Sequence, residues 1–199
     1  MLSELLSQLE ASLESEHDAV TEAAVVLLGR AARYLPADSA HVRRVVERLL
    51  SALRTPSELV QEAVASCLPA LVRASAAAKD VPSIVDRLFV DLLHGDKYAT
   101  RRGAAYGLAG VVKGRGVSAI RELRILARLS EAAHDTSTTT TRQGALFAYE
   151  LLASTLHVLL EPYVDGILAD LLLCFGDTHA DVREATQDAA RVLMRSLSG

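Results

Sequence analysis

Tryptophan is absent from this 199-residue chain, and five tyrosines and three phenylalanines bring the aromatic share to only 4%. Platforms on which unpaired bases could stack are therefore nearly missing, with Tyr98 and Tyr106 alone near the basic part of the chain. The longest apolar runs, Ala23 to Leu28 and Gly103 to Val112, fall well short of the ~18 residues that a membrane span needs. Alternating β-branched runs between Asn-Gly or Asp-Gly turns are lacking too, which removes the usual signals for strands. There are two cysteines, Cys67 and Cys174. Read as lying on stacked helices three repeats apart, they are too distant for the ~4.4 to 6.8 Å between Cα atoms that a disulfide allows. Two isolated thiols on apolar stripes point to a reducing compartment, most simply the cytosol. The acidic start Met1-Leu2-Ser3-Glu4 runs straight into helical pattern, so no leader peptide is expected there.

What the chain has in abundance is one pattern, repeated five times at a spacing of 40 or 41 residues. The aligned starts are Val20, Val60, Thr100, Thr141 and Val182. Counting from each start, offsets +3, +4, +7, +8 and +11 are small or apolar, as in Ala23, Ala24, Leu27, Leu28 and Ala31, which is the stripe of a buried helix. Counting back, Leu5, Val45, Val85, Leu126 and Ile167 align, as do Leu2, Val42, Pro82, Leu123 and Val164. Each unit thus holds two helices joined by a short loop. Two helices in roughly 40 to 47 residues is the period of HEAT and armadillo repeats, and the Ala- and Leu-rich composition suits helices stacked at close range. The expectation is an all-α solenoid of five antiparallel pairs, ten helices in all, with repeats about 1–36, 38–78, 80–115, 116–160 and 161–199. Turns are expected near 14–18, 54–57, 94–98, 135–140 and 176–180, with Ser57 before a helix from Glu58 and Pro82 in the first turn of another. Leu2, Leu5, Leu6 and Leu9 have no earlier pair to pack against and nothing is left over for capping helices, so a piece of a longer solenoid, prone to self-association, is expected.

No constellation for catalysis emerges. His17, His41, His94, His134, His157 and His179 are scattered, without His-Glu-x-x-His or Cys-x-x-Cys spacing, so no metal is expected. Lys113-Gly114-Arg115-Gly116 matches no phosphate loop and follows no strand; a glycine helix stop explains it. Asp177 and Asp181 suit a loop and a first helical turn, where acids favour the helix dipole. Without a buried acid pair or an activated nucleophile, catalytic and cofactor-binding residues are expected to be none.

The net charge of −4 is unevenly spread. Residues 97–128 hold eight bases against the single acid Glu122, a block that would draw anionic partners. Within it Arg101, with Arg142 and Arg183, shares the first polar column of the second helices, and each follows a loop acid, Asp96, Asp135 and Asp177 respectively. Together they are expected to form a structural ladder of arginines bonded to loop aspartates between neighbouring units. Lys97, Arg102, Lys113, Arg115, Arg121, Arg124 and Arg128 have no acid at helical spacing except Glu122, and are read either as contacts for an anionic partner or as a solvated face. If the partner is RNA, its backbone is the target. Gly103, Gly107 and Gly110 in one helix each cost ~1 kcal/mol against Ala, and close approach of the next helix pair, rather than close backbone approach by a partner, is expected to offset this. Thr136-Ser137-Thr138-Thr139-Thr140-Thr141 reads as an exposed polar loop that could also accept phosphate beside the basic block.

The strings Asp96-Lys97-Tyr98-Ala99 and Arg102 through Gly114, with Val60 through Pro69, Gly144 through Glu150 and Leu171 through Asp177, resemble the central HEAT array of the general control non-derepressible translational activators. These are very large ribosome-associated proteins that sense stalled ribosomes and switch on the initiation factor two alpha kinase. The resemblance spans essentially the whole chain, in the part similar to fungal elongation factor three. It implies a non-catalytic scaffold that binds the ribosome, through the RNA backbone or ribosomal proteins, and contacts an ATP-binding-cassette partner. The segment that recruits the kinase lies further along in the family and is missing here, and the Thr136–Thr141 loop departs from the charged segment expected at that place. Two other classes are weighed: a tubulin-binding HEAT domain, which the lack of any loop Trp disfavours, and a HEAT-like lyase, disfavoured by the lack of a clustered acid, His or Cys site. A generic protein-interaction scaffold is the plainest alternative.

Overall fold

The computed structural model describes residues 2–32, 34, 40–73 and 75–197. Among them are eleven α-helices and no strand. In chain order these are α1 Leu2–Ser12, α2 Asp18–Ala32, α3 Ala40–Ala52, α4 Glu58–Arg73, α5 Ser75–His94 and α6 Tyr98–Arg115, followed by α7 Ser118–Glu122, α8 Ile125–Ala133, α9 Thr139–Leu156, α10 Val164–Phe175 and α11 Ala180–Leu197. A 3-10 turn, His157–Tyr163, leads into α10. The chain is an all-α solenoid of the HEAT type, its five pairs being α1 with α2, α3 with α4, α5 with α6, α7 and α8 with α9, and α10 with α11. The loops fall within about two residues of the expected turns. The border expected near Pro36, and Arg33 beside it, lie outside the described residues.

The second helices form the spine: α2 packs on α4, α4 on α6, α6 on α9 and α9 on α11. Small residues make this possible. A Cβ placed on Gly103 would lie 1.8 Å from the Leu53 carbonyl oxygen, and one on Gly144 2.1 Å from that of Leu92, so the second helix of one unit rides on the end of the first helix of the unit before. The approach is thus by the preceding pair, not the next one as expected, because Gly103 and Gly144, at the +3 column of α6 and α9, face back along the solenoid. Pro69, inside α4, has no N–H for the carbonyl of Ala65 one turn earlier, and Gly110 of α6 enters against that carbonyl. The first helices touch one another far less and are tied by ion pairs instead: Arg44–Glu10 at 2.8 Å, Arg43–Asp80 at 3.1 Å, Arg87–Glu47 at 2.6 Å and Arg128–Asp86 at 2.8 Å. One apolar core runs from Leu6 to Leu193. Cys67 and Cys174 are buried and unbridged, and burial pushes the Cys174 thiol up to about 11.

Two details differ from the sequence expectation. Pro82 lies inside α5, which starts at Ser75, rather than in a first turn near 80. The helix expected from about 116 is broken into α7 and α8 by Arg124, whose φ of 52° is left-handed. No Gly or Pro marks that break. Ile120 and Ile125 are both buried, yet five residues apart on one continuous helix they would point about 140° away from each other. The left-handed residue resets the phase so that both face the core.

Candidate interaction surface

The column one residue after each repeat start builds one edge of the solenoid. Its members are Thr21, Gln61, Arg101, Arg142 and Arg183, and each reaches back to main-chain carbonyls of the loop that precedes its own helix. Thr21 Oγ1 donates to Ser15 O at 3.3 Å. Gln61 Nε2 lies 2.7 Å from Thr55 O and, across to the next unit, 2.9 Å from Ala99 O. Arg101 donates through Nη1 to Gly95 O at 2.8 Å and Asp96 O at 3.2 Å, and through Nη2 to Gln143 Oε1 of the next unit at 2.7 Å. Arg142 donates through Nη1 to Asp135 O and through Nε to Asp177 Oδ2 of the next unit, each at 2.6 Å. Arg183 Nη1 donates to Asp177 O at 2.7 Å.

The arginine ladder is therefore rebuilt in one respect. Asp96 and Asp135 serve it through their carbonyl oxygens; the carboxylate of Asp135 instead accepts from Ser137 N at 2.8 Å and Oγ at 2.6 Å, which holds it below the usual carboxylate range. Asp177 alone lends its carboxylate. Burial pushes that carboxyl up, but hydrogen bonds from Arg142 and His179 outweigh burial and leave it below the usual range. Each guanidinium lies against the carbonyls of its own loop, and across to the next unit Arg101 meets the Gln143 amide oxygen where Arg142 meets the Asp177 carboxylate. Gln61 and Gln143 are neutral, so the pattern of charge along the chain does not mark them.

The basic block separates into three. Arg102 is half-buried between Glu150, to whose Oε1 Nη2 donates at 2.8 Å, and Glu58 at 3.4 Å, with its guanidinium 5.7 Å from the Tyr106 ring and 5.4 Å from that of Phe147. Arg128 lies 3.7 Å over the Phe89 ring and pairs with Asp86. These two are engaged inside the fold, contrary to the expectation that they are free, because their acids sit 42 to 48 residues away on neighbouring units. Lys97 is exposed at the start of α6, at the opposite end of an 18-residue helix from Lys113 and Arg115, about 27 Å away. Lys113, Arg115 and Arg121 are exposed and have no ion-pair partner among the described residues. They gather where α6 ends and α7 begins. Arg73 joins them, its Nε donating to Gly114 O at 3.0 Å, and Arg124 follows, 3.6 Å from Glu131. Bases at the ends of α4 and α6 complement the negative end of the helix dipole, so the rim on that side of the spine is basic. The Thr136–Thr141 run straddles the start of α9, with Thr138 at the N-cap making no side-chain cap hydrogen bond; Ser137 and Thr138 are exposed, whereas Thr141 is buried with its Oγ1 donating to Leu93 O at 3.2 Å.

Among the described residues no helix is long and apolar enough to cross a membrane, and no three His, Cys, Asp or Glu side chains gather as a metal site would require.

The EF3 N-terminal HEAT repeat family matches residues 101–199. Stalled ribosome sensor GCN1 of Homo sapiens is 46% identical over 185 residues, 93% of this chain and 7% of that one. Protein ILITYHIA of Arabidopsis thaliana is 45% identical over 189 residues, 95% of this chain and 7% of that one. The eIF-2-alpha kinase activator GCN1 of Saccharomyces cerevisiae is 36% identical over 198 residues, 98% of this chain and 7% of that one. The chain thus spans a small part of the length of the relatives it matches.

Proposed function

Because the chain belongs to the family of the GCN1 proteins, of which it spans 7%, we propose that it is a non-catalytic, ribosome-associated scaffold segment acting in translational control in the cytoplasm, within a protein that activates the initiation factor two alpha kinase. The observation that carries this reading is the basic rim. Lys113, Arg115 and Arg121 carry three charges with no ion-pair partner among the described residues at one junction, whereas Arg102, Arg128 and Arg142 are engaged internally. Unpaired cations on a rigid edge suit phosphates of an RNA backbone: the site has no stacking platform, and shape and charge suffice for such contacts. A sensor named for stalled ribosomes among the relatives fits that chemistry. The kinase is reached through parts of the relatives that this chain does not span, and an ATP-binding-cassette partner is the second contact that the resemblance implies.

The test is cosedimentation with ribosomes, with tubulin polymer in parallel, of the chain carrying K113E, R115E and R121E. Ribosome binding is expected to fall at least tenfold with helicity unchanged, and a control with R102Q is expected to lose stability instead. Retention of full binding by the triple variant would remove this rim from the ribosome contact, and preferential pelleting with tubulin would overturn the reading.

A further inference from the structure

A second feature lies on the other row of helices. Asp170 of α10 is 4% exposed. Its Oδ2 accepts from the Tyr149 hydroxyl of α9 at 2.5 Å and its Oδ1 from the Ser130 hydroxyl of α8 at 3.0 Å. Among the described residues no Lys or Arg forms an ion pair with it; its basic neighbour is His134, whose Nδ1 stands 3.6 Å from Oδ1 and 2.8 Å from the Ser130 carbonyl oxygen. A carboxylate so deeply buried is costly to keep ionised unless a cation or enough donors face it, and two hydroxyl donors fill only half of its roughly four lone-pair sites.

Asp170 lines a cavity of about 310 Å³ between α8, α10 and the 3-10 turn. Its polar lining is Asp170, Ser130 and Tyr149; Leu126, Ile167 and Tyr163 line the rest. Gly166 also borders it, and a Cβ built there meets no atom within 4 Å, so the space beside it is open. Apolar walls that lead to a single carboxylate, with an aromatic ring alongside, form a socket for a cation carried on an alkyl stem: the stem lies along Leu126 and Ile167, the head meets the carboxylate, and the tyrosine face adds a cation–π contact. We propose that this cavity binds a guanidinium or primary ammonium group on an alkyl chain, supplied either as an Arg or Lys side chain of a partner polypeptide or as a free small amine. A guanidinium suits it best, being flat, weakly hydrated and able to give two parallel N–H donors to one carboxylate.

The experiment is an NMR titration of the 199-residue chain with agmatine, with the capped tripeptide acetyl-Gly-Arg-Gly-amide, and with the same tripeptide carrying citrulline. Saturable shifts are expected at the amides of Gly166 and Asp170 with the charged ligands and at least tenfold weaker ones with citrulline. Asp170→Asn, which keeps one acceptor oxygen and presents an NH2 donor that the other hydroxyl can accept, is expected to weaken binding at least tenfold. Gly166→Leu, placed into open space, is expected to block the cavity while Asp170 and the fold stay intact, so it carries the test if the Asn variant unfolds. Binding of both agmatine and the tripeptide assigns the site to a polypeptide side chain; binding of agmatine alone assigns it to a free amine. Equal shifts with citrulline, no shifts at all, or agmatine binding unchanged in both variants would overturn the proposal and leave Asp170 as an internal tie between helices.

Discussion

Arg142 and Asp177 show how one buried pair can hold two repeats together. Their side chains are only 10% and 9% exposed, they meet at 2.6 Å, and the arginine also serves Asp135 O on its own loop. Replacing Arg142 by Met leaves a buried carboxylate without its cation, and breaking a buried pair in this way costs about 3 kcal/mol. Because the folded Asp177 carboxyl titrates below its unfolded counterpart near 3.9, the stability it confers is present above that pH and is lost as pH falls through the folded value. Urea unfolding at pH 7 is therefore expected to show the full difference between wild type and R142M, and the two chains should converge as pH drops below about 4. A difference that stays constant down to pH 2 would mean that Arg142 acts through packing and not through Asp177.

At the level of helices, the close seams rest on residues that have no side chain. Gly103 and Gly144 face backbone oxygens that cannot move aside without shifting a helix end, so Gly103→Ala is expected to destabilise by about 2 kcal/mol even though Ala is the better helix former. Gly166 in α10 meets nothing, and Gly166→Ala there is expected to stabilise by up to about 1 kcal/mol. Thermal unfolding of the two variants side by side reads the opposite signs; the same sign for both would show that helix propensity, not the approach of helices, decides these positions. The break at Arg124 belongs to the same scale, a backbone strain of roughly 1–2 kcal/mol that is offset by burying both Ile120 and Ile125.

Across the whole molecule two kinds of charge respond differently to salt. The spine is held by apolar contacts and by the buried column, which counterions reach poorly, while the ion pairs between first helices each have at least one exposed partner and are worth about 0–1 kcal/mol each. Raising the salt from 0.1 to 1 M is therefore expected to move the melting temperature by no more than about 3 °C. Ribosome binding through Lys113, Arg115 and Arg121 should behave otherwise: three phosphate contacts give a log–log salt slope of about −2 to −3. Cosedimentation measured across that range reads the slope; binding indifferent to salt would move the contact away from the basic rim.

The sequence by itself determined the repeat, the helix pairs and the places of the loops, because burial of one helical stripe has a period that is written along the chain and needs no partner to be read. It also singled out Arg101, Arg142 and Arg183, since a column repeated at 40 or 41 residues marks equivalent places in space. Which charges are free was decided only by the tertiary structure. Arg102 looks unpaired along the chain, yet Glu58 and Glu150 reach it from units on either side, and Arg128 is taken by Asp86. In a solenoid the acid that neutralises a base sits about one repeat away, beyond any local spacing. The socket at Asp170 is of the same kind: Ser130, Tyr149 and Asp170 are ordinary residues on three helices until stacking brings them to one carboxylate.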